Sequence, residues 1–278
     1  MCVLVTGVSG QVGYEVVEEL KIRKIPFIAA NHSDMDITSA DSIKKFIGTR
    51  KINAIIHCAA YTAVDLAEEE VDICYKVNVN GTKNLVKVCK EQNALFTFVS
   101  TDYVFDGTKQ GVYTEEDITN PINVYGRSKQ EAEEIIKQSL EKYFVVRTSW
   151  VFGRNGKNFV DTIRRIASAN QQIKVVADQV GAPTYALDLA KVLCDLLKCQ
   201  QYGIYHVTNK GFCSWYEFAM EIVRISGFST EVMPISSSEF PTKAKRPKNS
   251  RMSGEKIAKT PVYSISDWKT ALIDYLKQ

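Results

Sequence analysis

Cysteine pairs, metal-ligand spacings, membrane-length apolar runs and an extended basic stripe are all missing from this 278-residue chain. The seven cysteines, at 2, 58, 74, 89, 194, 199 and 213, include no Cys-x-x-Cys, and the three histidines have no ligand spacing. Neither a disulfide framework nor a metal site is therefore expected. The thiols lie mostly in apolar stretches and read as buried free cysteines in a reducing cytoplasm. No stretch approaches the roughly 18 consecutive apolar residues of a membrane span. Met1 runs into an apolar strand with no basic segment before it, so no signal peptide is expected and the predicted location is the cytoplasm. The net charge is only +3 and is dispersed, apart from Lys243-Ala244-Lys245-Arg246-Pro247-Lys248, which excludes the pattern of a nucleic-acid binder.

What is present is the composition of a soluble globular enzyme, 45% hydrophobic and 24% charged, enough to bury a large core. Short β-branched runs at Cys2–Thr6, Pro26–Ala30, Ala54–His57, Leu95–Ser100 and Phe144–Thr148 alternate with amphipathic segments around Val12–Ile22, Ser39–Thr49, Val71–Gln92 and Tyr125–Glu141. That alternation predicts an α/β, Rossmann-type, doubly wound parallel sheet. Beyond Trp150 it loosens. Helices are predicted near Asn158–Ala169, Leu187–Leu197, Ser214–Ser226 and Asp267–Leu276, strands at Ile173–Val176 and Ile204–Val207, and an extended loop over Ile235–Ser253.

Directly after the first predicted strand, Gly7, Gly10 and Gly13 stand three residues apart and open a helix. A dinucleotide's pyrophosphate must approach backbone N–H groups at a helix N-terminus, and a Cβ on the turn would obstruct it. The alternative is a tight turn that binds nothing. The second predicted strand ends Ala29-Ala30-Asn31-His32-Ser33, without the carboxylate that would hold an adenosine ribose and favour NAD. Nothing there repels a 2′-phosphate, and no arginine is present to bind one. NADPH is the expected cofactor with NADH left open, and Asp36 and Ile37 are placed beside the adenine. Residues 1–150 are expected to form the dinucleotide-binding domain, with elements from about 170–208 returning to it. A smaller, mainly substrate-binding lobe is expected within 151–278.

Tyr125 and Lys129 lie four residues apart, on one face of a helix. Hydride transfer to a carbonyl leaves an alkoxide that needs a proton, which a positioned phenol can supply. A nearby ammonium would bring the phenol pKa, about 10 when free, toward neutrality. Ser100 and Thr101 follow the preceding strand at its C-terminal end, where open parallel sheets build their sites. Thr101 is expected to hydrogen-bond the substrate oxygen, with Ser100 in reserve. Asp65 and Asp102 are read as loop braces with no catalytic role, and His57 and His206 as satisfied core residues.

Six ordered blocks carry a resemblance over nearly the whole chain: His57-Cys58-Ala59-Ala60-Tyr61-Thr62-Ala63-Val64-Asp65, Ser100 to Gly107, Tyr125-Gly126-x-x-Lys129, Arg147 to Gly153, Asp178 to Thr184, and Arg246 to Ser250. Together they resemble the extended short-chain dehydrogenase/reductases, and within these the dTDP-4-dehydrorhamnose reductase family. The resemblance implies reduction of dTDP-4-dehydro-6-deoxy-L-mannose at C4 to dTDP-L-rhamnose. It implies that Gly7, Ser9, Gly10, Gln11, Val12, Gly13, Asn31, Asp36, Ile37, Ala59, Ala60, Tyr61, Tyr125 and Lys129 meet the cofactor. Thr101, Asp102, Trp150 and Arg246 are implied to meet a nucleotide-sugar substrate, Trp150 by packing on the deoxysugar and Arg246 on the diphosphate. A homodimer and a bound Mg2+ are implied by resemblance only. Two other readings are a nucleotide-sugar epimerase or 4,6-dehydratase, disfavoured because Thr101-Asp102-Tyr103 lacks an adjacent Asp-Glu, and a non-catalytic NADP-binding regulatory subunit. Retention of Tyr125, Lys129 and Thr101 together favours the enzyme.

Overall fold

The computed structural model describes residues 1–277. Five strands follow the predicted runs closely: β1 (Val3–Thr6), β2 (Phe27–Ala30), β3 (Ala54–His57), β4 (Leu95–Thr101) and β5 (Tyr143–Thr148). With the strand Gly203–His206 they form a six-stranded sheet in which that strand lies outside β5, followed by β4, β3, β1 and β2. Every pairing is parallel. The order reverses beside β1, and α1 (Gln11–Ile22) leaves from that point.

Each central strand is buried on both faces, and the period-two alternation assigns its residues to two cores. Val3, Val5, Ile56 and Val146 face one side, where Val16 and Leu20 of α1 meet Leu189 and Leu193 of the helix Ala186–Leu196. Leu4, Ile55, Phe98 and Val145 face the other, beneath Ile43 and Ile47 of α2 (Ala40–Ile47) and Ala132 and Ile136 of the helix Val124–Ser139. Crossover helices thus cover both sides of the sheet.

A third apolar cluster, containing Phe152, Phe218 and Trp268, joins the helices Phe159–Ala167, Trp215–Ile225 and Trp268–Leu276. The strand Gln172–Val176 pairs in parallel with Glu231–Ile235, forming a separate two-stranded sheet. The second of these strands is absent from the sequence-based prediction. It contains Pro234 and has only partial burial, so it gives neither the alternation nor the apolar density of a core strand.

The predicted helix Val71–Gln92 is interrupted by a π-helical stretch, Lys76–Gly81, between Val71–Tyr75 and Thr82–Gln92. Within it the Asn78 amide donates to the Tyr61 carbonyl at 3.1 Å and to Ser128 Oγ at 2.9 Å, while Thr82 Oγ1 donates to the Asn78 carbonyl at 2.6 Å. The first two bonds tie the widened turn to the segment after β3 and to the helix Val124–Ser139. Among the described residues, no helix is long and apolar enough to cross a membrane.

Candidate active site

A cleft of about 860 Å³ runs along the C-terminal ends of β1 to β5. Its near end is the glycine turn. Gly7 adopts φ +71°, and a Cβ there would lie 2.5 Å from the Ala59 backbone nitrogen. A Cβ on Gly13 would lie 2.2 Å from the Gly7 carbonyl oxygen. These contacts seat α1 against β1 and β3, and its N-cap, Gly10, brings no side chain to the first N–H groups. An uncapped helix N-terminus facing a cleft, on a turn without Cβ atoms, fits a dinucleotide pyrophosphate. Asn155 and Lys157 close this end from a distant loop, the Asn155 amide donating to the Ser9 carbonyl at 3.0 Å.

At the far side of β1 the cleft is lined by Asn31, His32, Asp36 and Ile37. The Asn31 side-chain oxygen accepts from the N–H groups of Ser33 at 2.8 Å and Asp34 at 3.0 Å, which turns the chain at the end of β2. The Asp36 carboxyl is held below its ordinary range, chiefly by the Thr38 backbone N–H.

At the opposite end stand the hydroxyls. Asn123 caps the helix Val124–Ser139, its side chain accepting from the Gly126 N–H at 2.7 Å, and Glu68 accepts from the Val124 N–H at 2.8 Å. So fixed, Tyr125 meets the edge of Tyr103 with ring centroids 6.0 Å apart, and the Thr101 hydroxyl lies near enough to its phenol to favour the charged form. Thr101 Oγ1 also donates to Asp102 Oδ1 at 3.0 Å. The Ser100 hydroxyl likewise donates to a carboxylate, that of buried Glu133, at 2.5 Å. Of the two hydroxyls, Thr101 is the one beside the Tyr125 phenol.

Lys129 is buried, with Nζ 3.8 Å from the centre of the Phe98 ring and donating to the Val99 carbonyl at 2.7 Å. Burial brings it down to about 7. Burial pushes the Tyr125 phenol up, with the Asp102 charge adding in the same direction. This differs from the expected lowering of the phenol by Lys129: removal of water disfavours phenolate, and the ammonium is bonded to a strand carbonyl. At neutral pH the phenol is therefore protonated, which is the form a proton donor needs.

Trp150, directly after β5, takes a positive φ of +49°, an uncommon conformation for a bulky residue. Its indole stacks on Trp215 with ring centroids 3.5 Å apart and planes 11° apart, and a Cβ on Gly181 would lie 2.7 Å from it. Both tryptophans line the cleft.

A family model described as "RmlD substrate binding domain" matches residues 1–278. The chain belongs to that family. It is 41% identical to a dTDP-4-dehydrorhamnose reductase of Aggregatibacter actinomycetemcomitans, over 97% of this chain and 96% of the relative. Its fold matches a crystal structure of a dTDP-4-dehydrorhamnose reductase from Clostridium acetobutylicum with a TM-score of 0.96, at 41% identity, over 100% of this chain and 99% of that one. A Bacillus anthracis dTDP-4-dehydrorhamnose reductase in complex with NADP matches with a TM-score of 0.95, at 37% identity, over 99% and 98% of the two chains.

In this member of the family most residues expected at the site meet in one cleft: Gly7, Ser9, Gly10, Gln11, Val12, Gly13, Asn31, Asp36, Ile37, Ala59 and Ala60 on one side, Thr101, Asp102, Tyr125, Lys129 and Trp150 on the other. Two expected residues do not line it. Tyr61 turns its hydroxyl away to donate to Glu70 at 2.7 Å. Arg246 is held by both oxygens of Asp65, at 2.6 and 3.1 Å, and reaches the cleft only through Tyr103. Lys243 pairs with Glu69, so the basic loop is braced by acidic partners. Asp65 thus does brace a loop, and His57 is satisfied between Thr6 Oγ1 at 2.7 Å and Thr82 Oγ1 at 3.2 Å. Cleft residues given no role from sequence include Tyr103, Trp215, Asn155 and Lys157. For Trp215 the only sequence signal is an aromatic at the first position of a helix capped by Ser214 and Glu217. Among the described residues, no group of three or more His, Cys, Asp and Glu side chains is arranged to hold a metal ion.

Asp102 gives a pH test. Burial raises its carboxyl to about 6 from an ordinary value of 3.8, and Oδ2 has no hydrogen bond of good geometry although Ser250 lies close enough to favour the charged form. Between these values the folded state holds a proton that the unfolded state has released, so stability falls as pH rises from about 4 to about 6. Replacing Asp102 by Asn should remove that fall, on the order of 3 kcal/mol across the window. Denaturant unfolding of both proteins between pH 4 and pH 7 checks it; parallel curves would refute the assignment.

Proposed function

We propose that the protein is an NADPH-dependent oxidoreductase that reduces the C4 ketone of dTDP-4-dehydro-6-deoxy-L-mannose to dTDP-L-rhamnose, in the biosynthesis of cell-surface polysaccharide. The observation carrying this reading is the meeting of the Thr101 hydroxyl and the protonated Tyr125 phenol in the same cleft as the glycine turn. The names of the relatives supply the substrate.

The glycine turn and the N-terminus of α1 would hold NADPH, which when bound would supply a hydride to C4. The chain's own residues handle the oxygen. As the carbonyl electron pair moves onto O4, Thr101 turns its proton from Asp102 Oδ1 to donate a hydrogen bond to it, and Tyr125 transfers its phenolic proton, completing the alcohol. The phenolate left behind shares a helix face with the Lys129 ammonium, four residues on. Asp102 can accept a sugar hydroxyl through Oδ2, and the stacked tryptophans offer an apolar surface to a deoxysugar. In this reading residues 1–150 mainly hold the dinucleotide, and the third apolar cluster supports the sugar-binding side. The neutral end of β2 at Asn31 accommodates the 2′-phosphate of NADPH. We assign Arg246 the role of fixing Tyr103 at the rim.

The test is NADPH consumption by the purified protein given the keto-sugar nucleotide. Turnover with formation of dTDP-L-rhamnose is expected, whereas tight NADPH binding with no turnover would favour a regulatory subunit. Replacing Thr101 by Val should lower kcat on the order of a hundredfold, since one donor to a developing oxyanion is lost. A kcat within a few-fold of the parent would remove Thr101 from the mechanism.

A further inference from the structure

Behind the cleft, side chains with no part in the reaction above form a continuous buried polar chain. Glu133 lies one helical turn beyond Lys129 and is 1% exposed. Arg147 of β5 grips it with Nη2 at 2.7 Å and Nε at 3.1 and 3.2 Å from its two oxygens, and Ser100 of β4 donates to it at 2.5 Å. Arg147 and Ser100 are direct partners in the β4–β5 register, one residue before Thr148 and Thr101. The Arg147 guanidinium continues to His206 Nε2 at 3.5 Å and lies 5.1 Å from the centre of the Phe105 ring. A single carboxylate thus joins the helix bearing Tyr125 to both strands at the catalytic end of the sheet.

Burying an ion pair is costly, and an apolar trio of equal volume would hold a helix on a sheet at least as well. A charge retained here has another use. We propose that Glu133 is a positioning residue whose carboxylate, clamped by Arg147 and Ser100, stabilises the buried Lys129 ammonium one helical turn away and holds Tyr125 in register with Thr101. This rests on the reductase reading and extends it to the groups behind the site.

The groups facing Lys129 are few. Tyr125 and Glu133 share its helix, His57 and Cys58 approach from the end of β3, Cys74 approaches from Val71–Tyr75, and Phe98 presents its ring from β4. Burial lowers Lys129, and Glu133 is the largest influence opposing it, ahead of the two thiols. Cys58 is pushed up to about 12 and stays neutral, so Glu133 is the one full negative charge in this set.

The test titrates Lys129 directly by NMR of protein whose lysines carry carbon-13 at Cε, its signal assigned by loss in Lys129→Met. In Glu133→Gln the midpoint should fall by about one pH unit or more. The alkaline limb of NADPH-dependent turnover should move with it, which a merely structural role would not produce. An unchanged midpoint in folded Glu133→Gln overturns the proposal. Should that variant fail to fold, because Arg147 is left buried and uncompensated, Glu133→Gln combined with Arg147→Met removes both charges. A fall relative to Arg147→Met alone is then expected, and a midpoint equal to that of Arg147→Met overturns the proposal. The titration needs no substrate, so a protein lacking turnover would count against the reductase reading while Glu133 is still judged.

Discussion

Replacing Tyr125 by Phe is expected to lower kcat by about a hundredfold to ten-thousandfold while leaving the Kd for NADPH nearly unchanged. The substitution keeps the ring, which packs against the cluster of Ala67, Cys74 and Val124 and meets Tyr103 edge-on, and removes only the oxygen that carries the proton. No other side chain replaces it at once. Thr101 can hydrogen-bond the developing alkoxide, but its hydroxyl is a far weaker acid than a phenol. Ser100 donates to Glu133, and Tyr103 is pushed up by burial and by the Asp102 charge. Steady-state NADPH oxidation and a fluorescence titration of NADPH, each on parent and variant, check both halves. A kcat within tenfold of the parent would place the proton donor elsewhere.

The second large effect belongs to the other end of the cleft. Replacing Gly13 by Ala should weaken NADPH binding by about tenfold to a hundredfold, the equivalent of 1–3 kcal/mol of overpacking. The new methyl would stand 2.2 Å from the Gly7 carbonyl oxygen and 2.9 Å from Val8 Cα, both backbone atoms with no rotamer to yield. Either α1 moves off the turn, carrying its N-terminal N–H groups away from the pyrophosphate, or the turn moves off Ala59. The readout is the NADPH Kd beside the denaturation midpoint. Parental affinity together with parental stability would show that the turn does not carry the dinucleotide.

Much of this architecture was legible because its causes are local. A strand buried on both faces must be apolar throughout, as Val3–Val5 and Ala54–Ile56 are, and a turn touching backbone on two sides must omit Cβ, as Gly7 and Gly13 do. Tyr125 and Lys129 share a helix face by spacing alone, and the cap at Asn123 fixes where that helix starts. The π-helical stretch Lys76–Gly81 was hidden for the opposite reason. It keeps a helical appearance in sequence, and the bonds that Asn78 makes within it go to Tyr61 and Ser128 of other elements.

The same division runs through the site. Amino-acid sequence by itself determined the sheet, the glycine turn without Cβ atoms, and the phenol and hydroxyls available at its far end. Those features follow from period, from the absence of a side chain, and from spacing along one helix. Tertiary structure alone decided which groups are free to act. It bonded Ser100 to Glu133, turned Tyr61 toward Glu70, spent Arg246 on Asp65, and stacked Trp150 on Trp215. It also set the protonation states, raising Tyr125 and lowering Lys129 by excluding water from both. A hydroxyl's partner and a charge's solvation depend on atoms remote in the chain, and only packing brings those atoms into contact.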